Sequence, residues 1–218
     1  MKNIFTLFLI TLFLTSCNNT SKKSNTENSR IELVPEPDKA ERLKYEAIQK
    51  LINSKCTLEN PDVSLCGMEL RNIESTMSII GNKDKTDSLG EYHYYSKFES
   101  ETLTMTQHPG DGNFQISIFK VERSDKASYN YRELNIDTFK TQNGIKLGMN
   151  KSKIIEKLGN CYAAIDSTKG YIEIYYRIEN PKDTKTKLLG KNNMPIYYAS
   201  YKLWKDKLEE YEFGFQYP

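Results

Sequence analysis

Residues able to do chemistry are few in this chain. It has two histidines, His93 and His108, and four cysteines, Cys17, Cys56, Cys66 and Cys161, in 218 residues. Three carboxylates, Glu209, Glu210 and Glu212, lie close together near the C-terminus among aromatic residues. Such a grouping suggests glycan hydrolysis, in which one carboxyl donates a proton and another acts as base or nucleophile. Neighbouring residues of a strand point to opposite faces, however. No motif places a second acid, and Lys205 and Lys207 sit beside the cluster, so a solvated strand of mixed charge accounts for the same residues. A catalytic thiol would need an adjacent base, and neither histidine stands in a recognisable motif. Cys56 and Cys66 have no nearby histidine and fit no zinc spacing. Gly110-Asp111-Gly112 lacks the Lys-Ser/Thr of a phosphate loop and reads as a hairpin tip. The expectation is a non-catalytic chain with no cofactor and no metal. An enzyme acting on glycans through carboxylates of the C-terminal strands is the alternative.

The N-terminus says where the chain lives. Lys2 precedes an apolar run, Ile4 to Leu14, that is too short for a comfortable membrane span. Leu14-Thr15-Ser16-Cys17 then resembles the lipobox of bacterial lipoproteins. The resemblance implies a signal peptide over 1–16 and a diacylglycerol on Cys17, with the membrane lipid as one partner. Acyl chains hold durably, since each buried methylene contributes about 0.8 kcal/mol. Asn18, rather than Asp, follows the cysteine, which favours the outer membrane facing the periplasm. Residues 17–37 are polar and read as a disordered tether. In an oxidising compartment Cys56 and Cys66, which bracket the loop Thr57–Leu65, are the expected disulfide. Cys161 reads as a buried structural cysteine. The formal charge of +2 gives no basic field, hence no nucleic acid.

Stepping along the chain, Asp38 caps a helix reaching Asn53, with Ala40, Leu43, Ala47, Ile48, Leu51 and Ile52 on one side. Two shorter helices follow the same plan. Gly148-Met149-Asn150 opens one that carries Ile154, Ile155 and Leu158 and closes on Gly159. Gly67-Met68, with Asn72 as cap, opens another that closes on Gly81. The closing glycines lie 78 residues apart and the Gly-Met pairs 81. That period is too long for a solenoid and suggests duplicated units. Alternating strands are expected around Tyr92–Phe98, Leu103–Met105, Phe114–Ile118 and Tyr129–Thr141, then Ile172–Ile178, Ile196–Trp204 and Leu208–Phe215. Pro181 to Asn193 is expected as a polar loop. The fold class is α+β: two tandem units, 38–127 and 128–218, each with short helices packed on an antiparallel sheet.

By that alternation, Tyr171, Tyr175, Tyr198 and Trp204 share the sheet face turned away from the helices, with His93 and Tyr95 in the first unit. Aromatic side chains anchor interfaces because they bury large area with few rotors, so this face is the expected site for a protein partner. Rings covering their own sheet are the plainer account of each one singly. The order of elements, carried by Gly148-Met149-Asn150, Ile154-Ile155 and Leu158-Gly159 and more loosely by Gly67-Met68 and Ile80-Gly81, resembles the helix-plus-sheet module of two groups. These are the beta-lactamase inhibitor protein and the small outer-membrane lipoproteins of the SmpA/OmlA (BamE-like) group. The resemblance implies a fold and an envelope setting. It carries neither inhibition nor barrel assembly, since the chain has two copies, lacks a proline soon after Gly159 and matches none of the inhibitor's contact loops.

Overall fold

A computed structural model describes residues 38–124, 131–166, 170–179 and 182–217. The expected signal peptide, Cys17 and the tether 17–37 lie outside the described residues.

Asp38 begins the fold. Its carboxylate accepts from the backbone N–H of Ala40 (2.5 Å) and Glu41 (3.2 Å), capping α1, Lys39–Asn53. No residue of α1 is buried. The hairpin of β1 (Ser64–Leu65) and β2 (Met68–Glu69) follows. It turns through Cys66 and Gly67, with φ of 49° and 92°. Two positive-φ residues in succession make the type I′ turn, whose twist matches that of the strands, and glycine takes the second position at least strain.

The two short helices match closely. α2 is Ile73–Ile80 and α3 is Lys151–Leu158. Asn72 accepts from Ser75 N at 3.0 Å and Asn150 from Lys153 N at 3.1 Å. Both helices end on a glycine with nearly the same backbone, φ 82° and ψ −173° at Gly81 and φ 88° and ψ 177° at Gly159. Both bury one stripe, Thr76 and Ile80 in α2, Ile154 and Leu158 in α3.

The remaining strands are β3 (Glu91–Tyr95), β4 (Glu101–Thr106), β5 (Ile118–Arg123), β6 (Arg132–Glu133), β7 (Ala163–Asp166), β8 (Tyr171–Glu179), β9 (Ile196–Trp204) and β10 (Lys207–Gln216). They form one eight-stranded sheet in the order β6-β3-β4-β5-β10-β9-β8-β7. The strands expected in two sheets therefore lie in one, joined where β5 pairs antiparallel with β10. The join is tight at Gly214, opposite Ile118, where a Cβ would stand 2.2 Å from Ser117 O. The sheet is mixed, because β6 runs parallel to β3.

One sheet face makes the core with α2, α3 and the loops. It carries Tyr94, Leu103, Phe119, Tyr211, Phe213 and Tyr201, among others. Several core tyrosines keep a polar end satisfied, as burial requires. Tyr197 OH donates to Asp62 O (2.7 Å), Tyr201 OH to Asp62 Oδ2 (3.0 Å) and Tyr211 OH to Phe139 O (2.9 Å). Among the described residues, no buried side-chain nitrogen or oxygen lacks a partner.

Four expectations need correction. The disulfide joins Cys56 to Cys161, whose Cα atoms are 5.4 Å apart. Cys66 sits in the β1–β2 turn, where its Sγ accepts from Lys140 N (3.3 Å), so closeness in sequence did not become closeness in space. Alternation from Phe114 through Ile118 breaks before β5: Phe119 and Val121 face the core, and Ile118 points the other way. The strand expected over Tyr129–Thr141 reduces, among its described residues, to β6 and an isolated bridge between Thr141 and Leu65. Finally, the expected loop Pro181–Asn193 holds a short helix, α4 (Leu188–Asn192), which buries Leu188 and Leu189.

Candidate functional site

The second sheet face carries polar side chains in rows set by strand register. One row runs His93, Thr104, Lys120, Glu212, Ser200, Tyr175, Ala163. The next runs Tyr95, Thr102, Glu122, Glu210, Lys202, Glu173, Ile165. Glu210 stands directly opposite Glu122, an arrangement that repels unless each finds a cation. Each does, since Lys120 lies 2.7 Å from Glu122 and Lys202 lies 2.7 Å from Glu210. Glu209 pairs with Arg123, and Glu212 accepts from Tyr198 OH. Glu173 is held by Lys44 of α1 (3.0 Å) and by Ser200 Oγ (2.8 Å). Half-burial pushes the Lys120 ammonium down, but Glu122, Glu210 and Glu212 outweigh it and raise the group above its ordinary value.

The four aromatic residues expected on this face part company. α1 lies over its β7–β8 end, with Ala47, Ile48 and Leu51 against Ala163, Ile165 and Tyr175, on which Tyr198 also packs. Tyr175 and Tyr198 stack there, centroids 6.2 Å apart. Burial and the nearby Glu212 carboxylate raise Tyr198 far above the usual phenol range. Tyr171 and Trp204 stay open at 36% and 39% exposure, their rings 5.1 Å apart at 42°. The indole rests on Gly170, where a Cβ would come 2.7 Å from it, and Lys205 Nζ lies 5.8 Å from its ring. Beside this pair is a depression of about 500 Å³ lined by Glu122, Arg123, Glu173, Lys202, Glu209 and Glu210. Coverage of Tyr175 by α1 was not legible in the strand pattern, because the strand period says which face a residue takes and not what lies over it.

At the far side of the sheet, His93 stacks on Tyr131 (4.7 Å) and lies 3.1 Å from Asp87 Oδ2 and 3.3 Å from Thr104 Oγ1. Asp87, Glu91 and His93 bring donor atoms within 4.8 Å of one another, enough to hold a metal ion. Asp87 already serves its own turn, accepting from Leu89 N and Glu91 N. A slight burial cost is outweighed by those bonds and by His93, which together lower its carboxyl. His108 bonds Phe215 O at 2.8 Å and fastens the hairpin tip to β10. Burial pushes the Cys66 thiol up, away from a reactive thiolate.

Glu209, Glu210 and Glu212 are thus each engaged with a cation or a phenol. Of the four aromatic residues expected on this face, Tyr171 and Trp204 are exposed, Tyr198 is half-buried and Tyr175 is buried. Compared with protein-family models, curated proteins and solved structures, the chain matches none.

Proposed function

We propose that this chain is a lipid-anchored protein of the bacterial cell envelope, held through acylated Cys17 at the outer membrane and facing the periplasm. Its folded part acts as a non-catalytic module that docks a protein partner on the open sheet face beside Tyr171 and Trp204. One observation carries the reading: an exposed pair of large aromatic rings, the Trp204 indole seated on Gly170, borders a depression of about 500 Å³ on a polar part of the face that α1 does not cover. Rigid aromatics beside a polar rim are what an interface hot spot requires.

The tandem reading belongs to this proposal. Units 38–127 and 128–218 each contribute one Asn-capped, Gly-stopped helix and an antiparallel run, β3-β4-β5 and β8-β9-β10. Those runs meet through their last strands, β5 and β10, and that order supports the tandem reading. This arrangement supports kinship with the helix-plus-sheet modules of envelope lipoproteins.

The test is in-cell photo-cross-linking from position 204, with identification of the attached species. A single envelope protein whose capture falls at least tenfold in Tyr171→Ala is expected. Capture of glycan or of nothing above background would overturn the docking reading. Separately, Cys17→Ser should release the chain from membranes and abolish palmitate labelling, and retention would overturn the anchor.

A further inference from the structure

The outer margin of the sheet offers a second surface. β7 is the last strand in the order, and α1 overhangs it. The two run in opposite directions. Lys44, near the start of α1, pairs with Glu173, which stands opposite Ile165, while Cys56, just past the end of α1, is bonded to Cys161, just before β7. Between them lies a groove of about 590 Å³. Its helical wall is Leu43, Glu46, Ala47, Lys50, Leu51 and Ser54, one stripe at helical spacing, and its other wall is β7 itself.

Two features select the occupant. Among the described residues, β7 pairs with β8 and with no strand beyond it. Open edge amides and carbonyls complement another extended backbone, and natural edges are usually blunted by lysine, proline or a bulge. β7, Ala163-Ala164-Ile165-Asp166, has none of the three. The groove is also electrically polar along its length. Asp166 belongs to the end near the start of α1, and Glu46 stands mid-helix one turn before Lys50. Lys50 belongs to the other end, where Lys151 Nζ lies 5.6 Å from the Tyr162 ring.

We propose that β7 and the overhanging α1 form a strand-addition site for an extended segment of a partner protein. The segment pairs over about four residues, since the four residues of β7 cover roughly 13 Å. It carries a basic residue toward Asp166 and an acidic residue toward Lys50, and small or aliphatic side chains facing Leu43, Ala47 and Leu51. This site is separate from the Trp204 face and stands whether or not that face docks a partner.

The test uses a phage library of eight-residue peptides panned on the full chain in detergent. Enriched peptides are synthesised, titrated by fluorescence polarisation and footprinted by hydrogen exchange. Enrichment of the basic-to-acidic pattern is expected, with protection of residues 163–166. Lys50→Glu should weaken acid-bearing peptides at least tenfold, and replacing that acid with lysine in the peptide should restore binding. Ala47→Trp should fill the groove and abolish binding while its urea midpoint shows the fold intact, and Trp204→Ala should leave binding unchanged. No enriched sequence, a footprint outside β7, indifference to Lys50→Glu, or loss of binding in Trp204→Ala would each overturn the proposal. So would protection, without peptide, of the β7 amides that do not bond β8: growing with protein concentration, it would assign the edge to a second copy, and independent of concentration, to this chain's own N-terminal segment.

Discussion

Reducing the Cys56–Cys161 bond is expected to destabilise the protein substantially and to loosen α1 first. The bond spans 105 residues of sequence. Closing a loop of that size removes about 16 cal/mol/K from the unfolded chain in the loop-entropy model, or about 4.7 kcal/mol at 25 °C. Measured bonds more often return about 2–4 kcal/mol. What else holds α1 is modest. Its Lys44–Glu173 pair has a lysine side chain 43% exposed, and such pairs contribute under about 1 kcal/mol. The Lys182 ammonium donates to Ser54 O at 2.7 Å and also to Ile52 O. With a urea slope of about 2 kcal/mol/M, the midpoint should fall by roughly 1–2 M on reduction. The assay is urea unfolding of oxidised and reduced chain, with hydrogen exchange reporting Lys39–Asn53 separately. Cys66→Ser should keep the gap between oxidised and reduced forms, and Cys161→Ser should erase it. Midpoints that coincide within roughly 0.3 M, inside the error of such extrapolations, would refute the reasoning. A peptide map linking Cys56 to Cys66 would refute it as well.

Three further outcomes follow from single residues. Burial raises the Asp62 carboxyl above its ordinary 3.8, against hydrogen bonds from Thr141, Asn143 and Tyr201 that lower it. A group raised on folding contributes stability that is whole below its unfolded value and lost as pH climbs through its folded value. The urea midpoint of Asp62→Asn should therefore gain on the wild type as pH climbs above the ordinary carboxylate value, and parallel profiles would contradict this. Gly214→Ala would set a Cβ 2.2 Å from Ser117 O at a φ of 156°, and the unfolding midpoint should record a loss of about 3 kcal/mol or more. Gly170→Ala would press on the Trp204 indole at 2.7 Å. Since the chain has one tryptophan, its emission reports the ring alone. A shifted emission with a stability loss below about 1.5 kcal/mol is expected, and unchanged emission would deny the seat.

Elements whose pattern is local were legible in the sequence. Asp38, Asn72 and Asn150 cap because a short acceptor precedes an apolar stripe, and Gly81 and Gly159 stop their helices at positive φ. In β8, β9 and β10 the core-facing residues recur at every second position, as in Ile174, Tyr176 and Ile178, in Tyr197, Ala199, Tyr201 and Leu203, and in Tyr211, Phe213 and Phe215, so these and the turn at Lys205-Asp206 could be read. What was not legible depends on partners distant in the chain. The join of β5 to β10 rests on Gly214 passing Ser117, and one glycine in a strand does not announce its neighbour. Cys161 found Cys56 because α1 folds back over β7, a long-range docking with no short-range signal. The same docking covered the end of the expected face where Tyr175 and Tyr198 stand and left Tyr171 and Trp204 exposed.

The charge pattern of that face constrains how a partner could be held there. Lys120, Glu122, Glu210, Lys202, Glu173 and Lys44 already neutralise one another across four strands and a helix. Burying such pairs under an apolar partner would strip their water without supplying new Coulomb energy, and that desolvation can exceed what the pairs return. An occupant must bring its own hydrogen-bonding groups to the rows, and these set register and exclude wrong partners more than they add affinity. The affinity has then to come from surface that gains by leaving water. On this face that surface is the paired rings of Tyr171 and Trp204, the latter with one side against Gly170. A side chain so fixed loses little freedom on binding, so most of the area it buries counts toward the complex. Division of labour of this kind suits a recognition module. In the module proposed above, the carboxylates that first suggested catalysis would serve as fixed polar markers, Glu209 and Glu210 each paired with a cation and Glu212 with a phenol.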